Sequence, residues 1–285
     1  MEFRQRGWRH RDRSASRVVR IGVFQKRFGM YLAMAIVLLA GIPRPIEAQV
    51  ASVVDRIRPL GDGPVYFSYP ARDGVRGDGR NLTLDLHDSD HDDGWKSDGF
   101  ESGPVRARIV IRDREVTDLE VRVGGRWNPS SPERDLGTVP PEEAARFFIG
   151  LAMNAKNEDV ARDAILPAVI ARDVDVWPAV LQIAKDRERP RPVRQSALFW
   201  MGQEAGRRMT VELEGFVDDS VEDIELRKHA VFALSQRSDE ESTPALLRLA
   251  RTHPNPEIRA SAMFWLSQKD DPRVVELLEE ILFGG

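Results

Sequence analysis

The sequence predicts a mainly α-helical protein in which a C-terminal α-α superhelix of about four helix pairs follows a small β-rich region and an N-terminal signal segment. Three observations predict this fold class. A short sequence motif, here called the phrase, occurs three times in the C-terminal half; apolar and polar residues alternate with period two in the middle of the chain; and a short apolar run follows a basic stretch near the N-terminus. The predicted divisions are a signal segment at 1–48, a β-rich domain at 49–139, a connecting helix at 140–156 and repeats at 157–285.

The first 48 residues have the pattern of a secretory signal. Basic residues run into an apolar stretch of 13 residues, Met30 to Ile42, and Ala48 supplies a small residue before the expected cleavage point. Because a membrane-spanning helix needs about 20 apolar residues, this length favours a cleavable signal over an anchor. We therefore expect an exported protein, periplasmic or secreted, with no membrane span after cleavage.

The amino-acid composition limits the classes of partner and of site that we expect for the exported chain. Removal of residues 1–48 takes away ten of the 42 Lys/Arg and three of the 46 Asp/Glu, so the remaining chain carries a net charge of −11. Nucleic-acid recognition depends on a basic footprint, and this acidic balance argues against it. The sequence has no cysteine, which excludes disulfides, thiolate metal sites and a cysteine nucleophile. No cofactor is expected.

Alternating residues predict a small β-rich region after the signal. Val105 to Arg112 alternates apolar and basic residues, and a second strand from Val116 to Val123 returns after a turn. Two further strands are expected at Val65 to Tyr69 and at Leu82 to Leu86, and a loop rich in Gly and Asp at 72–80 separates them.

An acidic, histidine-containing loop follows the strand expected at 82–86. Oxygen and imidazole groups at alternate positions are able to hold a divalent cation, and the candidate ligands are His87, Asp88, Asp90, His91 and Asp92. The loop lacks the glycine and glutamate of a calcium-binding EF-hand and the His-Glu-x-x-His of zinc proteases. A solvated acidic loop is therefore the favoured interpretation, and a metal site is the alternative.

The prediction of a helix at 140–156 rests on its first turn and on its apolar stripe. Pro140 and Pro141 precede two glutamates, which suit the N-terminal end of a helix. Phe147, Phe148 and Leu151 follow at spacings of three and four.

A phrase repeated in the C-terminal half is the strongest signal in the chain. It consists of an aliphatic residue, Arg, two variable residues, Ala, and a closing Leu/Met-Gly/Ser-Gln. Its arginines, Arg194, Arg227 and Arg259, are 33 and 32 residues apart, and a fainter copy begins at Val160. A second amphipathic stretch follows each copy, and Pro178, Pro244 and Pro272 are expected in the first turns of these second helices. Since one helix pair cannot bury its apolar face alone, the pairs must stack.

This phrase resembles the HEAT repeat, in particular the short variety of phycobilisome-lyase-type proteins. The resemblance covers residues 157–285. It implies a right-handed superhelix whose second helices line a concave, protein-binding face. It also implies that the repeated arginines bridge neighbouring repeats through Asp or Glu.

Two series of repeated side chains have alternative interpretations. Arg194, Arg227 and Arg259 form either an ion-pair and packing ladder between repeats, which is favoured, or a binding ladder for an acidic partner. Phe199, Phe232 and Phe264 either pack between repeats, which is favoured, or expose an interaction stripe.

The predicted function is an exported scaffold or adaptor that binds another protein. The sequence contains no nucleophile elbow, phosphate loop or dinucleotide fingerprint, so we do not expect an enzyme. Surface positions of the second helices form the candidate partner-binding surface: Lys185, Glu212, Arg248 and Arg251. The alternative is a metal-dependent binding domain or enzyme in the β-rich region, where the acidic-histidine loop faces an arginine-rich hairpin and the solenoid acts as a regulatory arm.

Overall fold

The computed structural model describes residues 52–84, 99–204 and 207–283. They belong to one compact unit, Ala51–Gly285. The predicted signal segment and the acidic-histidine loop, with candidate ligands His87, Asp88, Asp90, His91 and Asp92, lie outside the described residues. The described part of the chain is mainly helical, and no described helix is long and apolar enough to span a membrane.

The predicted β-rich region is confirmed, at residues 63–138. In the described residues a short helix α1 (Val53–Ile57) precedes seven strands: β1 (Gly63–Tyr69), β2 (Val75–Gly77), β3 (Leu82–Leu84), β4 (Glu101–Ser102), β5 (Val105–Arg112), β6 (Glu115–Val123) and β7 (Asp135–Thr138). They form a four-stranded sheet in the order β6-β5-β1-β7 and a three-stranded sheet in the order β3-β2-β4. The hairpin β5–β6 turns at Asp113 and Arg114, whose positive φ angles suit a two-residue hairpin turn.

Two features of this region differ from the sequence prediction. The segment predicted as a loop at 72–80 contains β2, which pairs with both β3 and β4. Strand β7 was not expected, because it has only four residues and contains Gly137. It pairs in parallel with β1, so its partner lies far away along the chain.

The four-stranded sheet packs on helix α2 (Pro141–Asn154). The ring of Phe67 on β1 stacks on Phe148 with centroids 5.6 Å apart and meets Phe147 edge-on at 5.9 Å. Tyr69 donates a hydrogen bond of 2.7 Å to the carbonyl of Pro167, and burial raises its pKa. Because these side chains belong to the same cluster as the apolar residues of the later helices, the sheet and the helices share one core.

The C-terminal helical solenoid is confirmed. Its helices are α3 (Glu158–Asp163), α4 (Ile165–Val169), α5 (Trp177–Lys185), α6 (Arg191–Gln203), α7 (Arg207–Asp218), α8 (Ile224–Ser235), α9 (Asp239–Thr252), α10 (Pro256–Leu266) and α11 (Pro272–Phe283). The repeated phrase forms the first helices α6, α8 and α10, and the second helices are α5, α7, α9 and α11. Ala197, Ala230 and Ala262, the repeated alanines, are fully buried.

Local signals place most of these helix ends. The side chains of Asp223 and Asn255 cap the N-termini of α8 and α10 by accepting backbone N–H bonds. Pro178 and Pro272 lie in first turns as predicted. The expectation for Pro244 is wrong, since α9 begins at Asp239 and contains Pro244 in its interior. Three acidic residues start this helix earlier, where they interact favourably with the helix dipole.

Candidate interaction surface

Arg194 lies inside the helix stack and not on its surface. Its Nε donates to the carbonyl of Ala184, near the end of α5, at 2.8 Å. Its two terminal nitrogens bind the two carboxylate oxygens of Glu222 at 3.1 and 2.5 Å. Both side chains are almost fully buried, and the bidentate geometry is the strong form of a charge-assisted hydrogen bond.

The environment of Glu222 keeps its carboxylate charged. Burial raises the pKa of Glu222, but the hydrogen bond from Arg194, the backbone N–H of Asp223 and the nearby guanidinium of Arg187 outweigh burial. The resulting pKa lies below the ordinary value for a glutamate, and Glu222 is therefore ionised at neutral pH.

The other two repeated arginines differ from the expectation that each bridges repeats through Asp or Glu. Arg227 reaches the imidazole Nε2 of His253, the C-cap residue of α9, at 3.2 Å. Arg259 donates to the carbonyls of His253 and Pro254 at 2.9 and 3.0 Å. Among the described residues, the expected acidic bridge is therefore present for Arg194 and wrong for Arg227 and Arg259.

All three arginines share a different contact, with the end of the preceding second helix. Arg194 donates to Ala184 of α5, Arg227 to Val217 of α7 at 2.7 Å, and Arg259 to His253, the C-cap of α9. The last carbonyls of a helix have no intrahelical partner and carry the negative end of the dipole, so a buried cation there satisfies both. Arg194 and Arg227 are buried and therefore belong to the interior of the stack, whereas Arg259 is half-buried.

A continuous row of aromatic rings crosses the three first helices. Phe199 stacks on Phe232 with centroids 6.2 Å apart, and Phe232 contacts Trp265 at 5.0 Å. Trp200 and Phe264 lie edge-on at the two ends of the row, each 4.9 Å from its neighbour. Phe199 and Phe232 are half-buried and pack between repeats, whereas Phe264 is 58% exposed.

Charges alternate along the second helices. Lys185 on α5 pairs with Glu212 on α7 at 2.8 Å, and Arg248 on α9 pairs with Glu214 on α7 at 3.1 Å. Arg251 on α9 pairs with Glu280 on α11 at 3.2 Å. The four predicted surface residues Lys185, Glu212, Arg248 and Arg251 therefore lie on neighbouring second helices, where α5 and α9 supply basic groups and α7 and α11 supply acidic ones. We call this set of side chains the alternating-charge face.

A cleft of about 520 Å³ opens within this face between α7 and α9. Its walls combine apolar, acidic and basic side chains: Thr210, Val211, Glu214, Glu240, Glu241, Pro244, Ala245 and Arg248. Val211 is 59% exposed, so an apolar contact is available between the charged groups. The sequence did not indicate Glu214 or Glu280 as ion-pair partners, because the direction in which a side chain of a second helix points depends on how that helix is rotated in the stack.

Two arginines of strand β5 have partners within the β-rich region. Arg106 donates to the carbonyls of Gly124 and Gly125, both at 2.7 Å, and Arg108 pairs with Asp118 at 2.9 Å. Within the described residues no three His, Asp or Glu side chains are grouped to hold a metal ion. The alternative metal-dependent site stays a prediction, since its loop lies outside that part of the chain.

Comparison with known families identifies the last helices. Residues 219–283, which contain α8 to α11, match the family described as HEAT repeats. The match is to HEAT repeats in general, and the phycobilisome-lyase subtype stays a prediction. No curated protein matches the chain.

Proposed function

We propose that this chain, whose residues 219–283 belong to the HEAT-repeat family, is an exported scaffold or adaptor that binds another protein through its alternating-charge face. HEAT repeats are associated with protein interaction, and stacked helix pairs of this kind create extended binding surfaces. The observation that carries the proposal is the alternation of basic and acidic side chains in the ion pairs that join neighbouring second helices around the α7–α9 cleft.

The charges of this face are better suited to recognition than to folding. Lys185, Glu212, Arg248 and Arg251 are partly exposed, and exposed ion pairs contribute only about 0 to 1 kcal/mol each to stability. A protein partner that presents the opposite sequence of charges would exchange these pairs for its own contacts. Such complementarity selects one partner and orients it.

Swapping one ion pair tests the assigned face. The double variant Lys185→Glu/Glu212→Lys keeps an ion pair between α5 and α7, so the fold should remain, but it reverses the charge pattern that a partner meets. We expect quantitative affinity capture from the native cell envelope to recover a stoichiometric partner with the wild-type protein and to lose it with this variant.

The matched control is the swap Arg108→Asp/Asp118→Arg on the β5–β6 hairpin, which alters an ion pair of similar length away from the second helices. This control should retain the partner. Equal capture by both swaps and by the wild type would reject the alternating-charge face, and the absence of any stoichiometric partner would reject the scaffold function.

The proposal of export rests on the apolar run behind the basic N-terminal stretch. Cell fractionation followed by N-terminal sequencing tests it directly. We expect a mature product that begins at Gln49, in the periplasm or the medium. A product that retains its first residues in the cytoplasm would contradict export.

A further inference from the structure

Most of the large apolar side chains that are exposed in the described residues lie on the helix pair α10 and α11. Seven such side chains are exposed in the described residues, and four of them belong to α10 and α11: Phe264, Val275, Leu278 and Phe283. The other three are isolated on α1, on α7 and in the loop after α7. Clustering of this kind marks an interaction site more often than scattered exposure does.

Equivalent positions in the three phrases explain why this surface is apolar. Phe199 and Phe232 each contact an aromatic ring of the following repeat, whereas Phe264, the third member, is exposed.

The small residue near the end of each phrase, Gly or Ser, shows the same difference between the third copy and the first two. A Cβ on Gly202 would lie 2.5 Å from the carbonyl oxygen of Ala233 in the following repeat, and Ser235 is buried. Ser267, the third member, is exposed. The exposed side of α10 and α11 is therefore a repeat-packing surface that no described helix pair covers.

The repeated arginines give the same result. Arg194 and Arg227 reach side chains that follow their own second helices, Glu222 after α7 and His253 after α9, but Arg259 has only backbone carbonyl partners among the described residues. Its guanidinium therefore retains capacity for a carboxylate. Glu279 on α11 is exposed and has no ion-pair partner in the described part of the chain.

The opposite end of the helix stack is already covered. Helix α2 and the four-stranded sheet pack there through Phe67, Phe148 and Tyr69. A second copy therefore cannot join head-to-tail at that end, and the complementary surface on an identical molecule is the same exposed side of α10 and α11. Contacts between identical surfaces are closed by a two-fold axis.

Helices α10 and α11 place opposite charges at the same height along the helix axes. A five-residue connection joins α10 to α11, and short connections make neighbouring helices antiparallel. Arg259 in the first turn of α10 then lies level with Glu279 near the end of α11, and Phe264 lies level with the region of Val275. A two-fold axis parallel to the helices sets α10 of one copy against α11 of the other, so that Arg259 meets Glu279 of the second copy and Phe264 meets apolar side chains.

We propose that Arg259, Phe264, Val275, Leu278 and Glu279, here called the end face, form a two-fold interface between two copies of this chain. The apolar side chains supply buried area, and the two Arg259–Glu279 pairs fix the orientation of the copies. This interface shares no residue with the alternating-charge face, so each copy in a dimer retains that face for a protein partner.

Sedimentation equilibrium of the purified protein tests the interface. We expect a concentration-dependent dimer for the wild type and an increase of at least about tenfold in its dissociation constant for Val275→Glu. The control Val221→Glu changes an exposed valine in the loop after α7 and should leave the dissociation constant unchanged. Circular dichroism checks that each variant keeps its helices.

Charge reversal provides the decisive comparison. Arg259→Glu and Glu279→Arg should each weaken self-association, because each places like charges against one another. An equimolar mixture of the two variants restores opposite charges at both contacts and should form a heterodimer. A wild-type protein that stays monomeric at all concentrations would overturn the proposal, as would a dimer that persists in Val275→Glu.

Discussion

At the residue scale, Glu222 shows how a charge is stabilised inside the stack. A buried carboxylate loses its hydration, and Glu222 regains the lost interactions from the guanidinium of Arg194 and the backbone N–H of Asp223. Its pair differs from the exposed pair of Lys228 with Glu225, in which both groups keep contact with water. The two pairs have similar lengths but different consequences for stability.

We expect Glu222→Gln to lower the free energy of unfolding by about 3 kcal/mol at neutral pH, because it leaves Arg194 buried without a counter-charge. The exposed control Glu225→Gln should cost less than about 1 kcal/mol. Urea denaturation measures both differences. Equal effects of the two substitutions would contradict the assigned role of Glu222.

The same variant has a defined pH dependence. Since the folded-state pKa of Glu222 is lowered, its stabilisation is fully present above the unfolded-state pKa of about 4.3 and is lost as pH falls through the folded-state value. The difference in stability between wild type and Glu222→Gln should therefore be full at neutral pH and decrease below about pH 4. A difference that does not change with pH would show that the carboxylate charge is not involved.

At the element scale, two helical glycines allow the effect of close helix packing on stability to be distinguished from the effect of helix propensity. Gly202 on α6 lies against the backbone of Ala233 on α8, whereas an added Cβ on Gly215 of α7 would meet nothing within 4 Å. A methyl group at position 202 must push two first helices apart. The same group at position 215 only favours the helix.

We expect Gly202→Ala to destabilise the protein by about 1 to 3 kcal/mol through overpacking, and Gly215→Ala to stabilise it by up to about 1 kcal/mol. Thermal unfolding followed by circular dichroism measures both changes. Opposite signs support close packing of α6 on α8, and a stabilising Gly202→Ala would contradict it.

The elements themselves were predicted unevenly from the sequence. Helices α6, α8 and α10 followed from a phrase that repeats its apolar pattern at a constant period. Strand β7 could not be predicted, because Asp135–Thr138 has no alternation of its own and depends on pairing with β1. The start of α9 was misplaced, because a proline in a first turn is common but the acidic residues before Pro244 had already begun the helix.

At the scale of the whole molecule, the candidate surface was predictable in its helices but not in its contacts. Lys185 and Arg248 were expected on second helices, where they lie. Their partners on α7 depend on how adjacent helices are rotated, and a local pattern does not specify that rotation. Similarly, Glu222 and His253 lie outside the repeated phrase, so the sequence did not indicate which groups Arg194 and Arg227 would reach.

The contact of each phrase arginine with the preceding second helix shifts the boundary of the structural module. Arg194 ties α6 to α5, Arg227 ties α8 to α7, and Arg259 ties α10 to the end of α9. The cohesive unit is therefore a second helix with the first helix of the next repeat, offset by one helix from the repeat that the sequence displays. A duplication or deletion can change the number of repeats. It would keep each of these arginine contacts intact only if its breakpoints fell between the first and the second helix of a pair, for example between α6 and α7.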